Sequence, residues 1–75
     1  MKKNNFKNRL KVGDLIIYNF LFSNEDTKYG IVCYAKPDKN FKRIVYVLTS
    51  TLMEKVPYSI MEYEIIQDCD EKIYI

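Results

Sequence analysis

The chain contains no histidine and no tryptophan, and only two residues each of glycine, proline and cysteine. Each shortage removes a class of function. Without histidine the usual general base and the commonest metal ligand are missing, so Ser–His and Cys–His catalysis are excluded. Phosphate-cradling loops need several glycines, and only Gly13 and Gly30 are present. Cys33 and Cys69 stand far apart and outside any Cys-x-x-Cys spacing, too few for a disulfide framework or a closed zinc site. Cys33 lies in an apolar run and reads as a small buried hydrophobe, whereas a Cys33–Cys69 bridge would require matching backbone geometry. The longest apolar run, residues 15–22, is too short to cross a bilayer and is interrupted by Asn19. The first residues lack the apolar stretch of a signal peptide because Asn4, Asn5, Lys7 and Asn8 break it. No membrane partner is expected.

The acidic residues offer little more. Glu62, Glu64, Asp68, Asp70 and Glu71 form the only dense acidic group. The run Asp68-Cys69-Asp70-Glu71 has no mid-loop glycine and no closing glutamate, so it does not match a calcium loop and reads as an acidic turn. A glycosidase-type carboxylate pair would need an enclosed cleft, which 75 residues hardly supply. The expectation is a protein without catalytic residues, cofactor or metal.

The length is near the lower limit for a self-sufficient core, with an expected net stability of about 3–5 kcal/mol. The formal net charge is +2, but it is unevenly spread. Lys2, Lys3, Lys7, Arg9 and Lys11 crowd the start without an acid, while the acids gather at the far end. Residues 1–9 therefore read as a flexible basic arm and residues 10–75 as a single domain. The arm is either a solvated tail or an element that steers toward phosphates or an acidic protein face. The richness in Lys, Asn, Ile and Tyr matches AT-rich codons, which weakens the lysine excess as a sign of nucleic-acid binding. Arginine, the better residue for bidentate phosphate contacts, occurs only at positions 9 and 43.

The periodicity is that of strands. Residues 15–22 are β-branched and aromatic, with Ile16, Tyr18, Phe20 and Phe22 on one face and Leu15, Ile17 and Leu21 on the other. A strand with two greasy faces, in a domain with no second layer, is the first place to look for an interface. A polar loop follows, then a strand over 29–35 in which Gly30 permits a bend or bulge. Residues 36–40 read as a turn, with Asn40 tolerating positive φ. Residues 42–49 form a third strand, with Val45 and Val47 opposite Ile44, Tyr46 and Leu48. Residues 51–56 fit either a helical turn or an extended hairpin, ended by Pro57. Residues 58–61 fit a short strand or a 3-10 turn, 64–66 a short strand, and 72–75 a final strand. The fold class is all-β: about five antiparallel strands in a small barrel, with a short extra strand at the C-terminus.

Seven tyrosines complete the inventory. Their rings pack while their hydroxyls meet water, which suits half-buried sheet positions and interfaces alike.

The segments Lys11-Val12-Gly13-Asp14-Leu15-Ile16, Tyr29-Gly30-Ile31-Val32 and Ile44-Val45-Tyr46-Val47-Leu48, with Tyr58 and Ile65-Ile66, resemble SH3-like small barrels of the KOW and Tudor kind. The layout is similar to that of short proteins of tailed bacteriophages. The resemblance implies a core of Val12, Ile16, Val32 and the 44–48 strand, with Gly13-Asp14 as the corner. Leu48 stands where relatives often carry tryptophan, so no aromatic cage carries over. The implied function is a non-catalytic protein-binding module, a minor virion component or host-interacting accessory protein docking on a larger assembly. It would act in the host-cell cytoplasm or the virion. The candidate contact residues are Leu15, Ile17, Leu21, Phe22, Tyr29 and Tyr34. The alternative is nucleic-acid binding through Lys2, Lys3, Lys7, Arg9 and Lys11, with Tyr29 or Tyr34 stacking on bases. A third expectation is homo-oligomerisation through an edge strand at 72–75.

Overall fold

The computed structural model describes residues 9–75. Alternating apolar residues produce five strands, all antiparallel: β1 (Leu15–Phe20), β2 (Lys28–Asp38), β3 (Lys42–Leu48), β4 (Met53–Pro57) and β5 (Met61–Gln67). They form one sheet in the order β4-β3-β2-β1-β5. A single 3-10 turn, Tyr58–Ile60, joins the two edge strands. In a flat sheet those edges would lie about 19 Å apart. The four residue steps from Pro57 to Met61 reach at most about 14 Å. The sheet therefore curls so that its edges approach, and the concave side becomes the core.

Ile16, Tyr18, Val32, Val45, Val47, Val56, Met61 and Tyr63 fill that concave side, with Leu10 plugging one end. Inward residues meet across strands, as in Ile16↔Ile65, Tyr18↔Tyr63 and Phe20↔Met61. Of the expected core, Ile16, Val32, Val45 and Val47 are fully buried, Val12, Ile44 and Tyr46 are half-buried, and Leu48 is exposed. The interruption in β2 is not at Gly30. It falls between Val32 and Tyr34, where Cys33 is the unpaired extra residue. This bulge lets Val32 and Ala35 both face the core and leaves Tyr34 outside.

Several boundaries differ from expectation, each for a local reason. β1 stops at Phe20 rather than Phe22, because the N–H of Ser23 donates to the carbonyl of Phe20 at 3.1 Å and turns the chain. β2 runs on through Pro37 to Asp38, so the turn begins later than predicted. Asp38 Oδ2 then accepts the N–H groups of Asn40 at 2.9 Å and Phe41 at 3.1 Å. The positive φ falls on Lys42 (66°), not on Asn40. Residues 51–56 resolve as a hairpin arm. Thr49 Oγ1 accepts the N–H of Leu52 at 3.1 Å, and Thr49 N–H donates to the carbonyl of Leu52 at 2.9 Å.

Residues 72–75 form no strand. They make one antiparallel bridge, Lys11↔Tyr74, flanked by Val12 N–H to Ile73 O (2.8 Å) and Ile75 N–H to Leu10 O (3.2 Å). With a single bridge the segment is no strand of the sheet, and it ties the end of the chain to the stretch before β1. Cys33 and Cys69 are both free thiols. Cys69 instead packs against Gly13, whose φ is +97°. A Cβ there would stand 2.8 Å from Cys69 Sγ, so the corner needs glycine twice over.

Candidate functional site

The outer, convex sheet face carries the feature of most interest. Strand register places Met53 opposite Leu48, Leu48 opposite Ile31, Ile31 opposite Leu15, and Leu15 opposite Gln67. A single cross-strand row thus runs over all five strands, and its first four members are apolar. Leu48, Ile31 and Met53 are 47%, 45% and 41% exposed, and Leu15 is half-buried. Beside this row runs a second, Tyr29↔Ile17↔Glu64, in which Tyr29 is well exposed. Neighbouring side chains on one sheet face stand about 5 Å apart across strands, close enough to act as one surface.

At one end the stripe drops into a groove of about 660 Å³ between β1–β2 and the β3–β4 hairpin. Its apolar walls are Leu15, Tyr29, Ile31, Leu48 and Leu52. Leu52 is presented by the Thr49-braced turn described above. The polar end holds Lys28 and Glu54. Lys28 Nζ donates to Glu54 Oε2 at 3.0 Å, and the Tyr18 hydroxyl donates to Glu54 Oε1 at 2.5 Å. Lys28 is held above its ordinary pKa, first by the hydrogen bond to Glu54. Burial pushes the Glu54 carboxyl up, but the bonds from Tyr18 and Lys28 and the Lys28 charge outweigh it, and the net shift is downward. Both groups are committed to each other, with the proton on lysine. The pair sets opposite charges side by side at the polar end of the groove.

The structure brings together three of the six candidate contact residues, Leu15, Ile17 and Tyr29. Leu21 and Phe22 sit apart, on the turn after β1, where they are 42% and 87% exposed. Tyr34 lies on the same convex face one row further along, stacked on its cross-strand partner Tyr46 with ring centroids 4.4 Å apart. Sequence reasoning missed Ile31, Leu48, Leu52 and Met53. The signal was there for Leu48, since an outward side opposite Val45 and Val47 follows from alternation. Ile31 faces outward for the same reason, opposite to the buried Val32.

Of the basic candidates, Lys2, Lys3 and Lys7 lie outside the described residues. Arg9 is exposed, its guanidinium 4.9 Å from the centroid of the Tyr74 ring. Lys11 is tied down by Asp14 at 3.4 Å and Asp68 at 3.5 Å. Among the described residues, no group of three or more cysteine or carboxylate side chains is placed to hold a metal ion. No helix among them is long and apolar enough to cross a membrane.

The geometry defines an all-β protein with one curled five-stranded antiparallel sheet and an apolar stripe on its convex side. Comparison with protein-family models, with curated proteins and with solved structures finds no match.

Proposed function

We propose that the chain is a non-catalytic protein-binding module, an SH3-like barrel that docks on a larger assembly through its convex stripe. The observation that carries the reading is the continuous row Met53–Leu48–Ile31–Leu15, apolar and aligned over four strands, opening into the groove beneath Leu52. Scattered surface leucines need no explanation, but a registered row of them costs solubility unless something covers it. Tyr29, with a large ring and a polar tip, is a natural anchor at the rim. Phe22, on its separate turn, supplies a second point of attachment. The similarity in layout to short proteins of tailed bacteriophages makes a virion component or a host protein the first partner to test.

The test compares tagged wild-type protein with an Ile31→Lys/Leu48→Lys variant in quantitative affinity purification from the producing cells. Both positions are solvent-facing, so the circular dichroism spectrum and melting temperature should be unchanged. A specific partner should be enriched with the wild type and weakened by more than about 30-fold in the variant, as for loss of interface anchors. Leu21→Asp and Phe22→Asp should leave the domain folded and weaken the same partner to a lesser degree. A folded stripe variant that retains every partner overturns the proposal.

A further inference from the structure

Further along the same convex face, the rows beyond the apolar stripe combine aromatic rings with cations. We infer that the face around Tyr34, Lys36 and Arg43 binds single-stranded nucleic acid. The inference does not depend on the apolar stripe.

The register explains how the face is built. Tyr34 stands opposite Tyr46, and Tyr46 opposite Lys55. In the next row Lys36 stands opposite Ile44. The two tyrosine rings are nearly parallel, inclined by 13°. Lys36 Nζ is 5.7 Å from one centroid and 5.6 Å from the other. An ammonium almost equidistant from two stacked rings sits beside the stack and does not cap either outer face. Tyr34 keeps 40% of its surface exposed. The result is an aromatic platform with a cation at its flank, an arrangement suited to stacking a base while pairing its phosphate.

The same face opens into a groove of about 480 Å³ whose lining includes Tyr34, Lys36, Lys42, Arg43 and Tyr74 and contains no acid. Arg43 lies 5.5 Å from the centroid of Tyr58, and Arg9 lies over Tyr74, so both guanidinium planes are held against rings. Arg9, Lys36, Lys42 and Lys55 make no ion pair among the described residues, in contrast to Lys11 and Lys28, while Arg43 Nη1 donates to the Ile75 main-chain oxygen at 3.5 Å. Asp38, opposite Lys42 in register, has Oδ2 turned to the N–H groups of Asn40 and Phe41. Arg9, Lys36, Lys42 and Lys55, with Arg43 beside them, outnumber the single nearby carboxylate of Asp38, and on a protein of net charge +2 they form a local positive field that a polyanion neutralises.

Exposed rings select among polyanions. An acidic peptide would use the charges but not the ring faces. A paired duplex hides the ring faces of its bases, so an exposed tyrosine platform finds nothing to stack on there. Unpaired bases use both features, and a sheet face bearing aromatics is a platform for them.

The experiment is fluorescence anisotropy of the full chain with a labelled dT20 oligonucleotide, at about 50 and 200 mM salt. Neutralising three or four phosphates of a single strand gives a salt slope of about −2 to −3, hence a weakening of roughly 20- to 50-fold over that interval. Tyr34→Ala should weaken binding by roughly 5- to 100-fold, as expected for loss of one stacked base. Lys36→Ala/Arg43→Ala should lower affinity and flatten the salt slope. Ile31→Lys/Leu48→Lys should not weaken it, which separates this face from the docking stripe. Four results overturn the inference. One is no binding of dT20 at 50 mM salt up to tens of micromolar protein. A second is equal affinity for poly-glutamate or heparin, with Tyr34→Ala indifferent. A third is tighter binding of the dA20·dT20 duplex. The fourth is loss of binding on neutralising Lys2, Lys3 and Lys7 together with full binding by Lys36→Ala/Arg43→Ala.

Discussion

Asp14 Oδ1 accepts a hydrogen bond from the backbone N–H of Cys69 at 2.8 Å, across 55 positions of sequence. Its other oxygen accepts the backbone N–H of Lys11 at 2.9 Å, and Lys11 Nζ lies 3.4 Å from Oδ1. The carboxylate is fully buried, yet these partners satisfy it. It clamps the segment leading into β1 to the segment leaving β5.

Replacing this carboxylate should therefore loosen the chain ends as well as lower stability. Asp14→Ala leaves two N–H donors without their acceptor and Lys11 with Asp68 alone, at an expected cost of about 2–5 kcal/mol. Asp14→Asn keeps one acceptor oxygen and should cost less. Urea unfolding midpoints measure the loss, and amide exchange at Lys11 and Cys69 reports the local release. A change below about 0.5 kcal/mol in Asp14→Ala would show that the clamp is not structural.

Stability should fall on both sides of a neutral plateau, for two opposite reasons. Glu54 is held below its ordinary value of 4.5. Near and below that pH the unfolded chain binds more protons than the folded one. Its contribution is therefore complete above pH 4.5 and is lost as pH falls through the folded value. Tyr18 and Tyr63 shift the other way. Burial raises both first, and bonds to Glu54 and Tyr58 respectively add to it. The folded state keeps phenol protons that the unfolded chain releases around pH 10.0, so stability is complete below that pH and declines above it. Thermal melts from about pH 3 to pH 11 should show both limbs. Glu54→Gln should flatten the acid limb and Tyr18→Phe part of the alkaline one. Limbs unchanged in these variants would assign the pH dependence to other groups.

Gly30 and Val47 should prove energetically coupled. A Cβ on Gly30 would overlap Val47 Cγ1 and press on the Leu48 carbonyl oxygen at 3.0 Å. Gly30→Ala should destabilise by about 1–3 kcal/mol through overpacking. Val47→Ala, a cavity substitution, should cost a comparable amount alone. In the double variant the new methyl occupies space that Val47 has vacated. A double-mutant cycle by chemical denaturation should return a favourable coupling of about 1 kcal/mol, and strict additivity would refute the steric account.

The alternation in β3 was readable, but not which side faces in: the whole 44–48 strand was expected in the core, whereas only Val45 and Val47 are buried and Ile44, Tyr46 and Leu48 face out or half out. The inward set of β1, Ile16, Tyr18 and Phe20, was equally visible. β2 was not, because one unpaired residue at Cys33 inverts the phase of everything after it. A period-two reading puts Tyr34 on the same face as the buried Val32, whereas the bulge sends it outward onto Tyr46. The prominence given to Leu21 and Phe22 came from extending the strand past Phe20. The turn closed by Ser23 N–H depends on geometry that composition does not encode. Ile31, Leu48 and Met53 became one surface only when three separate strand registers placed them in a row.

By itself the sequence determined that the chain builds strands, that histidine-based chemistry is impossible, and where the corner at Gly13-Asp14 falls. These follow from residue type and from side-chain alternation, which are local properties. The tertiary structure alone decided which outward side chains are neighbours, which cations are left without counterions, and that Asp14 holds the segment after β5. Those depend on register, on the placement of the bulge at Cys33 and on the curl of the sheet. One extra residue changes each of them while leaving the composition almost untouched.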